Sequence, residues 1–298
     1  MRLASHLALA TMCAAVVIAG AEGTRAGAQG DGLRQALTFH APFDGVVDAA
    51  FASGDPKLYS LAMVGRGQPA PPPAAGLPAT GETVHVQGAG RFGDALRFTQ
   101  RRKPRVFFQA DRNVAYTPAD WSGTVSFWLS VDPANELEPG FCDPIQITPR
   151  SWDDAAFFVE FEKGEAAIPF RLGVYADKSV WNPTGRPFAE VPPAERPLVT
   201  VEQPPFGAGK WTHIVFTFER FNTGQPDGVA RLYLDGKPAG QLSPLVQTFT
   251  WDPARSTIAL GLSYIGLMDE LSVFNRALSD DEVAALHALP QGVTGLLR

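Results

Sequence analysis

Lys210-Trp-Thr-His-Ile-Val-Phe-Thr-Phe-Glu219 and Val229-Ala-Arg-Leu-Tyr-Leu-Asp-Gly236 are the two segments that decide the fold of this chain. In the first segment Ile214, Phe216 and Phe218 point to one side of an extended chain, and mostly polar side chains point to the other. The residues between the segments are rich in Asn, Gly, Pro and Asp, which is typical of a turn. The Asp-Gly pair that ends the second segment favours the tight primed turns that match strand twist. The two segments therefore predict an antiparallel meander.

Three further stretches have the same extended character: Gly90-Arg-Phe-Gly-Asp-Ala-Leu-Arg-Phe98, Gly123-Thr-Val-Ser-Phe-Trp-Leu129 and Gly266-Leu-Met-Asp-Glu-Leu-Ser-Val-Phe-Asn-Arg-Ala-Leu-Ser279. Together with the meander they stand in the order found in the laminin-G-like, concanavalin A-like jelly rolls of secreted bacterial proteins, which this sequence resembles. The resemblance runs from about residue 37 to residue 289. It implies a sandwich of two antiparallel sheets.

The remaining pattern agrees with that architecture. Many short strand-like segments are separated by Pro- and Gly-rich turns, and this favours an all-β sandwich. The one helix that we predict spans residues 280–288, where Ser279 and Glu282 match a capping box and Pro290 ends the pattern. We therefore predict an all-β, two-sheet antiparallel jelly-roll sandwich with one short C-terminal helix.

The chain begins with the features of a secretory signal peptide. A basic residue, Arg2, is followed by an apolar run over about residues 7–21 and by Ala26-Gly-Ala28. We predict cleavage after residue 28 and export to the periplasm, the cell envelope or the extracellular space. An uncleaved membrane anchor is the alternative, although the run is shorter than the ~20 residues that span a bilayer. Cys13 follows a methionine, which does not fit a lipoprotein signal.

Residues 29–298 are long enough for one β-sandwich domain, and we predict a single laminin-G-like domain. The segment 65–81 is rich in Pro, Gly and Ala, so we interpret it as an insertion loop between two strands. Too little sequence precedes this loop to bury a separate core. A domain boundary at the loop is therefore the weaker interpretation.

The net charge argues against two classes of partner, and the cysteine content excludes an internal disulfide. The formal net charge is −6 at pH 7, and removal of two arginines and one glutamate with the signal peptide makes it −7. An acidic chain is a poor match for nucleic acid or for an anionic membrane surface. After cleavage Cys142 is the one remaining cysteine, so no internal disulfide can form.

Three tryptophans in predicted loops are candidate ligand-binding residues. Trp152, Trp181 and Trp251 each lie beside an Asp or Asn. An exposed indole can stack on a sugar face while the neighbouring polar group bonds to sugar hydroxyls. The alternative is that these rings cover the core, because tryptophan is mostly buried in folded proteins.

The resemblance also implies a calcium ion, because related sandwiches often hold one where the first and last strands meet. The matching positions here are Asp44, in Phe-Asp-Gly, and Asp269, in Met-Asp-Glu. Calcium takes 6–8 oxygen ligands at ~2.3–2.6 Å, so backbone carbonyls, and Asp48 as well, would have to contribute. The alternatives are a turn-forming Asp44 and an Asp269 that bonds to the neighbouring backbone.

A glycosidase signature is partly present. Glu160-Phe-Glu-Lys-Gly-Glu165 resembles the Glu-x-Asp-x-x-Glu strand of a glycoside hydrolase family that shares the sandwich. Retaining hydrolysis needs two carboxyl groups ~5 Å apart. Here Glu162 replaces the central Asp, and a Lys-Gly turn places Glu165 beyond the strand. Alternation places Glu160 and Glu162 on the wetter face, which favours a solvated hairpin.

These observations favour a non-catalytic module that binds extracellular carbohydrate and carries a structural calcium. The jelly roll also supports protein-binding modules and enzymes, so the fold does not decide the function. The first alternative is a protein-interaction or cell-envelope structural module. The second is a glycoside hydrolase that uses Glu160 and Glu165.

Overall fold

A computed structural model describes residues 27, 29–65, 68–69, 71–242 and 244–298. The predicted signal peptide, residues 1–28, therefore lies outside the described residues except at Gly27. No helix within the described ranges is both long and apolar enough to span a bilayer.

The described residues form seventeen strands, which account for most of the regular structure. In chain order they are β1 (Leu37–Ala41), β2 (Phe51–Ala52), β3 (Leu58–Leu61), β4 (Ala74–Ala75), β5 (Thr83–Val86), β6 (Ala95–Phe98), β7 (Arg105–Gln109), β8 (Trp121–Ser130), β9 (Gly140–Thr148), β10 (Ala156–Lys163), β11 (Phe170–Tyr175), β12 (Leu198–Val201), β13 (Trp211–Phe221), β14 (Val229–Leu234), β15 (Lys237–Gln241), β16 (Thr257–Leu262) and β17 (Gly266–Phe274).

The strands form two antiparallel sheets. The nine-stranded sheet has the order β15-β14-β13-β8-β17-β1-β2, and β5 and β6 join it beside β17. The eight-stranded sheet has the order β12-β11-β10-β9-β16-β7-β3-β4. Apolar side chains of both sheets meet in one large core cluster. This arrangement confirms the predicted all-β jelly-roll sandwich.

The meander that decides the fold has the predicted register. β13 pairs with β14 from Ile214 opposite Leu234 to Glu219 opposite Val229. Ile214, Phe216 and Phe218 are buried in the core between the sheets, as their alternation predicts. The turn that follows has Asp235 at φ +50° and Gly236 at φ +75°, which is the backbone of a type I′ turn.

The terminal helix, Asp280–His287, is also as predicted. Ser279 and Glu282 form both hydrogen bonds of the capping box. Val283 and Leu286 pack against the outer face of the nine-stranded sheet, in a second apolar cluster that includes Val215 and Tyr233. Residues 29–36 form a further helix that we did not predict, and it contributes Leu33 to the same cluster.

The other helical segments are single turns within the connections. They are Pro133–Glu136, Lys178–Trp181, Phe188–Glu190, Pro193–Glu195, Pro253–Arg255 and Val293–Leu297. The predicted insertion loop 65–81, of which residues 66, 67 and 70 lie outside the described residues, supplies the edge strand β4, where Ala75 pairs with Tyr59 of β3.

Strands β9 to β11 explain how the second sheet presents a surface away from the core. On β10, Phe157, Val159 and Phe161 enter the core, so Phe158 and Glu160 lie on the outer face. The same alternation holds on β9 and β11. It leaves Gln146, Arg171, Gly173 and Tyr175 outside the core cluster, on the side of Phe158.

Candidate functional site

A cavity of about 380 Å³ lies on the outer face of the eight-stranded sheet. Its floor consists of side chains from β9 to β12, and the connections on either side of β10 and β11 supply its walls. The lining residues are Phe141, Asp143, Gln146, Arg150, Ser151, Trp152, Phe158, Glu160, Arg171, Tyr175, Phe188 and Leu198.

One row of residues across four strands makes the floor. Phe158 is opposite Gln146 of β9 on one side and opposite Gly173 of β11 on the other, and Gly173 is opposite Leu198 of β12. A Cβ atom at Gly173 would lie 2.2 Å from the ring of Phe158. Because glycine has no side chain, the ring can lie against the strand and form a flat apolar floor.

Aromatic rings form the wall above that floor. Trp152 lies in the connection after β9, is 41% exposed, and meets Phe188 edge-on at 5.0 Å between ring centroids. Tyr175 stacks on Phe158 at 5.6 Å and meets Trp152 edge-on at 5.7 Å. The cavity therefore offers one partly exposed indole and an apolar floor beneath it.

The charged residues of the cavity are paired with each other. Arg171 donates to Glu160 with two of its nitrogen atoms, Nε at 3.0 Å, and it donates to Glu162 with the third. Arg150 donates to Asp177 and lies 3.5 Å from Asp154. These pairs fix both guanidinium groups against the protein.

Three polar groups of the cavity have no partner among the described residues. The hydroxyl of Tyr175 is buried and makes no hydrogen bond. The carboxyl of Asp143 and the amide of Gln146 are not hydrogen-bonded either, and both residues are half-buried. Burial, with a smaller effect from the charge of Glu160, raises the pKa of Asp143 to about 8, so this carboxyl keeps its proton at neutral pH.

The structure separates the three predicted tryptophans. Trp152 lines the cavity, and Trp181 lies behind it, where its ring meets Tyr175 edge-on at 4.9 Å and its N–H donates to the carbonyl of Asp153. Trp251 does not present an exposed ring. It is 7% exposed within the core, and its N–H donates to the carbonyl of Ala155. Trp251 is therefore a core residue rather than part of this site.

The two glutamates of the glycosidase pattern are also separated. Glu160 lines the cavity, but it is 6% exposed and paired with Arg171, so the expectation of a wet strand face is wrong at this position. Glu165 lies exposed in the turn after β10 and does not line the cavity. The structure thus does not bring Glu160 and Glu165 into one groove.

The polar residues that complete the cavity were not predicted from the sequence. Alternation along Phe170–Tyr175 places Arg171 and Tyr175 on one face, so that signal was available. The position of Phe188 was not predictable, because it comes from a Pro-rich connection without periodicity.

The two predicted calcium ligands lie together at the loop between β5 and β6. Asp44 accepts a hydrogen bond from the backbone N–H of Asp94 at 2.8 Å, and Asp269 accepts one from Phe92 at 3.0 Å. Burial, then the charge of Glu270 and more weakly that of Asp44, raises the pKa of Asp269 to about 8. No group of three His, Cys, Asp or Glu side chains in the described ranges forms a metal-ligand cluster. Asp48, the third predicted contributor, accepts a hydrogen bond from the backbone N–H of Leu58.

The family of this chain follows from a sequence-based comparison. The laminin G family model described as the concanavalin A-like lectin/glucanases superfamily matches residues 109–284, which is more than half of the chain. The protein belongs to this superfamily. No curated protein matches the sequence significantly.

Solved structures of similar fold include binding domains. One is domain 4 of the extracellular arabinanase AbnA of Geobacillus stearothermophilus in complex with arabinotriose, with TM-score 0.48, 15% identity, and coverage of 83% of this chain and 96% of that one. Another is the receptor-binding domain of a botulinum neurotoxin C/D mosaic serotype, with TM-score 0.52, 10% identity, and coverage of 86% and 51%. A third is the ligand-binding domain of botulinum neurotoxin serotype D in complex with N-acetylneuraminic acid, with TM-score 0.51, 10% identity, and coverage of 87% and 52%.

These matches span about half of each neurotoxin structure. At 10% identity the likeness to the two neurotoxin domains shows the fold alone. The chemistry of the site must therefore be argued from the residues of this chain.

Proposed function

We propose that this protein is a non-catalytic carbohydrate-binding module, and that the cavity beside Trp152 is its site. The observation that carries the proposal is the combination of an exposed indole with unpartnered polar groups around one apolar floor. A sugar ring has an apolar face and a rim of hydroxyls, so it needs both kinds of surface. The neurotoxin domain solved with N-acetylneuraminic acid is an example of a similar fold that binds a sugar.

A binding assay with a matched variant tests this proposal. We expect the protein to be depleted from solution by at least one member of a polysaccharide panel, and we expect Trp152→Ala to weaken that binding by about 30-fold or more, as for a central aromatic contact. The thermal stability should barely change, because this indole is 41% exposed. Trp211→Ala is the control, since Trp211 lines a separate cleft on the opposite sheet.

The same tubes should be read for released reducing ends. The cavity contains a second carboxyl, Asp143, whose protonated form next to Glu160 is the kind of pair that glycosidases use. Binding without release supports a module without catalysis. Release that Asp143→Asn abolishes would replace the proposal with glycoside hydrolysis. No binding and no release across the panel would favour a protein partner or a structural role in the cell envelope.

We also propose that Asp44 and Asp269 hold a structural calcium ion. The residues present fit a cation, because the carboxyl groups of Asp44, Asp269 and Glu270 collect here, and their ionised forms would have no lysine or arginine partner among the described residues. Glu270 follows Asp269, and its Oε1 is buried without a hydrogen-bond partner. His40 lies 3.7 Å from Glu270, but burial lowers the pKa of His40 to about 3, so it is neutral at pH 7.

Calcium bound to Asp44 and Asp269 would neutralise this charge, and backbone carbonyls would complete its oxygen ligands. We expect the melting temperature to rise with added calcium and to fall with chelator, because a ligand that binds the folded state stabilises it. Asp269→Asn should remove the response. Asp48→Asn should retain it, since Asp48 bonds the backbone of β3. A calcium-independent melting temperature in the parent protein would exclude the site.

Export is the third part of the proposed function. Its support is the basic, apolar and small-residue pattern of residues 1–28. Detection of a mature N-terminus at residue 29 in a non-cytoplasmic fraction would support it.

A further inference from the structure

We propose that the cavity beside Trp152 selects an uncharged sugar over an acidic one, and that Tyr175 is a residue that determines this specificity. The inference rests on the proposed carbohydrate-binding function. It concerns the class of sugar and the side chains that bind its hydroxyls.

Arg171, on the floor of the cavity, is not available for an acidic sugar. Arg171 directs its three guanidinium nitrogens at Glu160 and Glu162. Arg150 is bonded to Asp177 and to the carbonyl of Thr250. Arg150 makes these bonds through Nη2 alone, but a sugar carboxylate could reach Arg171 only by displacing a protein carboxylate, and a free fork of donors is what makes arginine a good carboxylate site.

The charge balance around the cavity also gives an anion no advantage. The two arginines of the lining are paired with four carboxylates, those of Asp154, Glu160, Glu162 and Asp177. Arg196 places its guanidinium on the ring of Phe188 and adds a third positive charge nearby. With Arg101, which acts on Asp143 of the lining, four positive charges face four carboxylates, so no net positive charge draws an acidic sugar into the cavity.

The groups left free are those that suit sugar hydroxyls. Tyr175 lines the cavity and its side chain is fully buried, yet its hydroxyl has no partner among the described residues. A buried polar group without a partner is costly and uncommon, which indicates that a bound molecule completes it. Gln146 can donate and accept from its amide. Asp143 can donate while it keeps its proton, since burial raises its pKa.

The size of the cavity limits how much of a glycan it can hold. A volume of about 380 Å³ is near the lower end of the roughly 300–1,000 Å³ of small-molecule sites. The site therefore suits a short segment of a glycan, and the rest of a longer chain would lie outside it.

The test uses matched polysaccharides with the full protein. The probes are neutral glucan, galactan, mannan, arabinan and xylan, the three hexose polymers after oxidation of their primary hydroxyls to carboxylates, and polygalacturonate. We expect at least one neutral polymer to bind, and we expect oxidation to weaken the binding of a hexose polymer by tenfold or more. Tyr175→Phe should weaken neutral binding by up to about tenfold, the loss of one hydrogen bond.

Tyr59→Phe is the matched control, because its hydroxyl bonds to Asp55 away from the cavity. Tighter binding of an acidic polymer that is lost in Trp152→Ala would overturn the inference and leave carbohydrate binding at this cavity intact. Neutral binding that needs Trp152 but is unchanged in Tyr175→Phe would remove Tyr175 from the specificity. Binding to no probe would overturn the proposed function, and the inference with it.

Discussion

Each sheet of the sandwich carries a buried tyrosine on its outer face, and the surroundings of the two differ. Tyr233 of β14 is 1% exposed beneath the terminal helix, and its hydroxyl donates to Asp280 at 2.8 Å. Tyr175 of β11 is 0% exposed beneath irregular connections, and its hydroxyl has no partner in the described part of the chain. The terminal helix thus satisfies the tyrosine hydroxyl that it covers, although the ring Nδ1 atoms of His213 and His287 on the same face are buried without a partner among the described residues. The eight-stranded sheet is covered by loops that leave a cavity.

The same contrast appears in the other rings of the two faces. On the nine-stranded sheet, Trp128 is 5% exposed, and its ring packs nearly parallel to His213 at 4.7 Å and to His287 at 5.2 Å, with the guanidinium of Arg91 5.0 Å away. On the eight-stranded sheet, Trp152 meets its neighbours only through edge-on contacts. The comparison teaches that aromatic content alone does not mark a binding face. The marker is an aromatic side chain that the fold leaves exposed, as Trp152 is at 41% and Trp128 is not at 5%.

The largest expected effect on stability concerns the charged pairs on the two sheets. We predict that Glu160→Ala costs about 3 kcal/mol of unfolding free energy, because it breaks a buried pair and leaves Arg171 with Glu162 alone. Glu219→Ala, which removes the half-exposed partner of Arg231, should cost under about 1 kcal/mol. Denaturant unfolding of both variants measures the difference. Equal losses would mean that the cavity floor is as solvated as the opposite face.

A second prediction concerns the pH dependence of stability. Because Asp143 has a folded pKa of about 8, the folded protein holds this proton while the unfolded chain, with a pKa of about 3.9, loses it. Its contribution to stability therefore declines as pH rises from about 4 to 8. We expect the unfolding free energy of Asp143→Asn, relative to that of the parent protein, to be about 2 kcal/mol higher at pH 8 than at pH 4. The full pKa shift implies a larger difference, but the carboxyl is partly solvated.

Glu282, on the face that the terminal helix covers, should have the opposite effect on the pH dependence of stability. A hydrogen bond from Arg276 lowers the pKa of Glu282 to about 2, so its contribution is present above about pH 4.5 and is lost as pH falls through 2. Glu282→Gln should therefore flatten the acid side of the stability profile and leave the decline between pH 4 and 8 unchanged.

For the Asp143 prediction, a stability profile of Asp143→Asn that runs parallel to that of the parent protein above pH 4 would show that the Asp143 carboxyl is ionised in the cavity.

The sequence could predict which side of each strand faces the core, and it could not predict what covers the other side. Alternation placed Ile214 and Phe216 inside, and Asp235-Gly236 marked the turn. The burial of Glu160 depends on Arg171 from the adjacent strand, which is a matter of strand order. The burial of Trp251 depends on the carbonyl of Ala155, 96 residues away along the chain. Such long-range pairings leave no local pattern in a single sequence.

The smallest expected effects on stability concern the hydroxyl groups of the two tyrosines. Tyr233→Phe removes a hydroxyl that is bonded to Asp280, and it should cost about 1 kcal/mol of unfolding free energy. Tyr175→Phe removes a hydroxyl that has no partner within the described part of the chain, so stability should stay the same or rise by up to about 1 kcal/mol. Both rings remain, so the two variants differ from the parent protein by one oxygen atom each.

A bound glycan should reverse the order of Tyr233→Phe and Tyr175→Phe in stability relative to the parent protein. In the presence of a saturating glycan, the parent protein gains stability from binding, and Tyr175→Phe should gain less because its complex lacks one hydrogen bond. Tyr233→Phe should gain as much as the parent, since its ring lies under the terminal helix. A loss of stability in ligand-free Tyr175→Phe would mean that water already completes the Tyr175 hydroxyl. The unpartnered oxygen would then no longer distinguish the open face from the covered one.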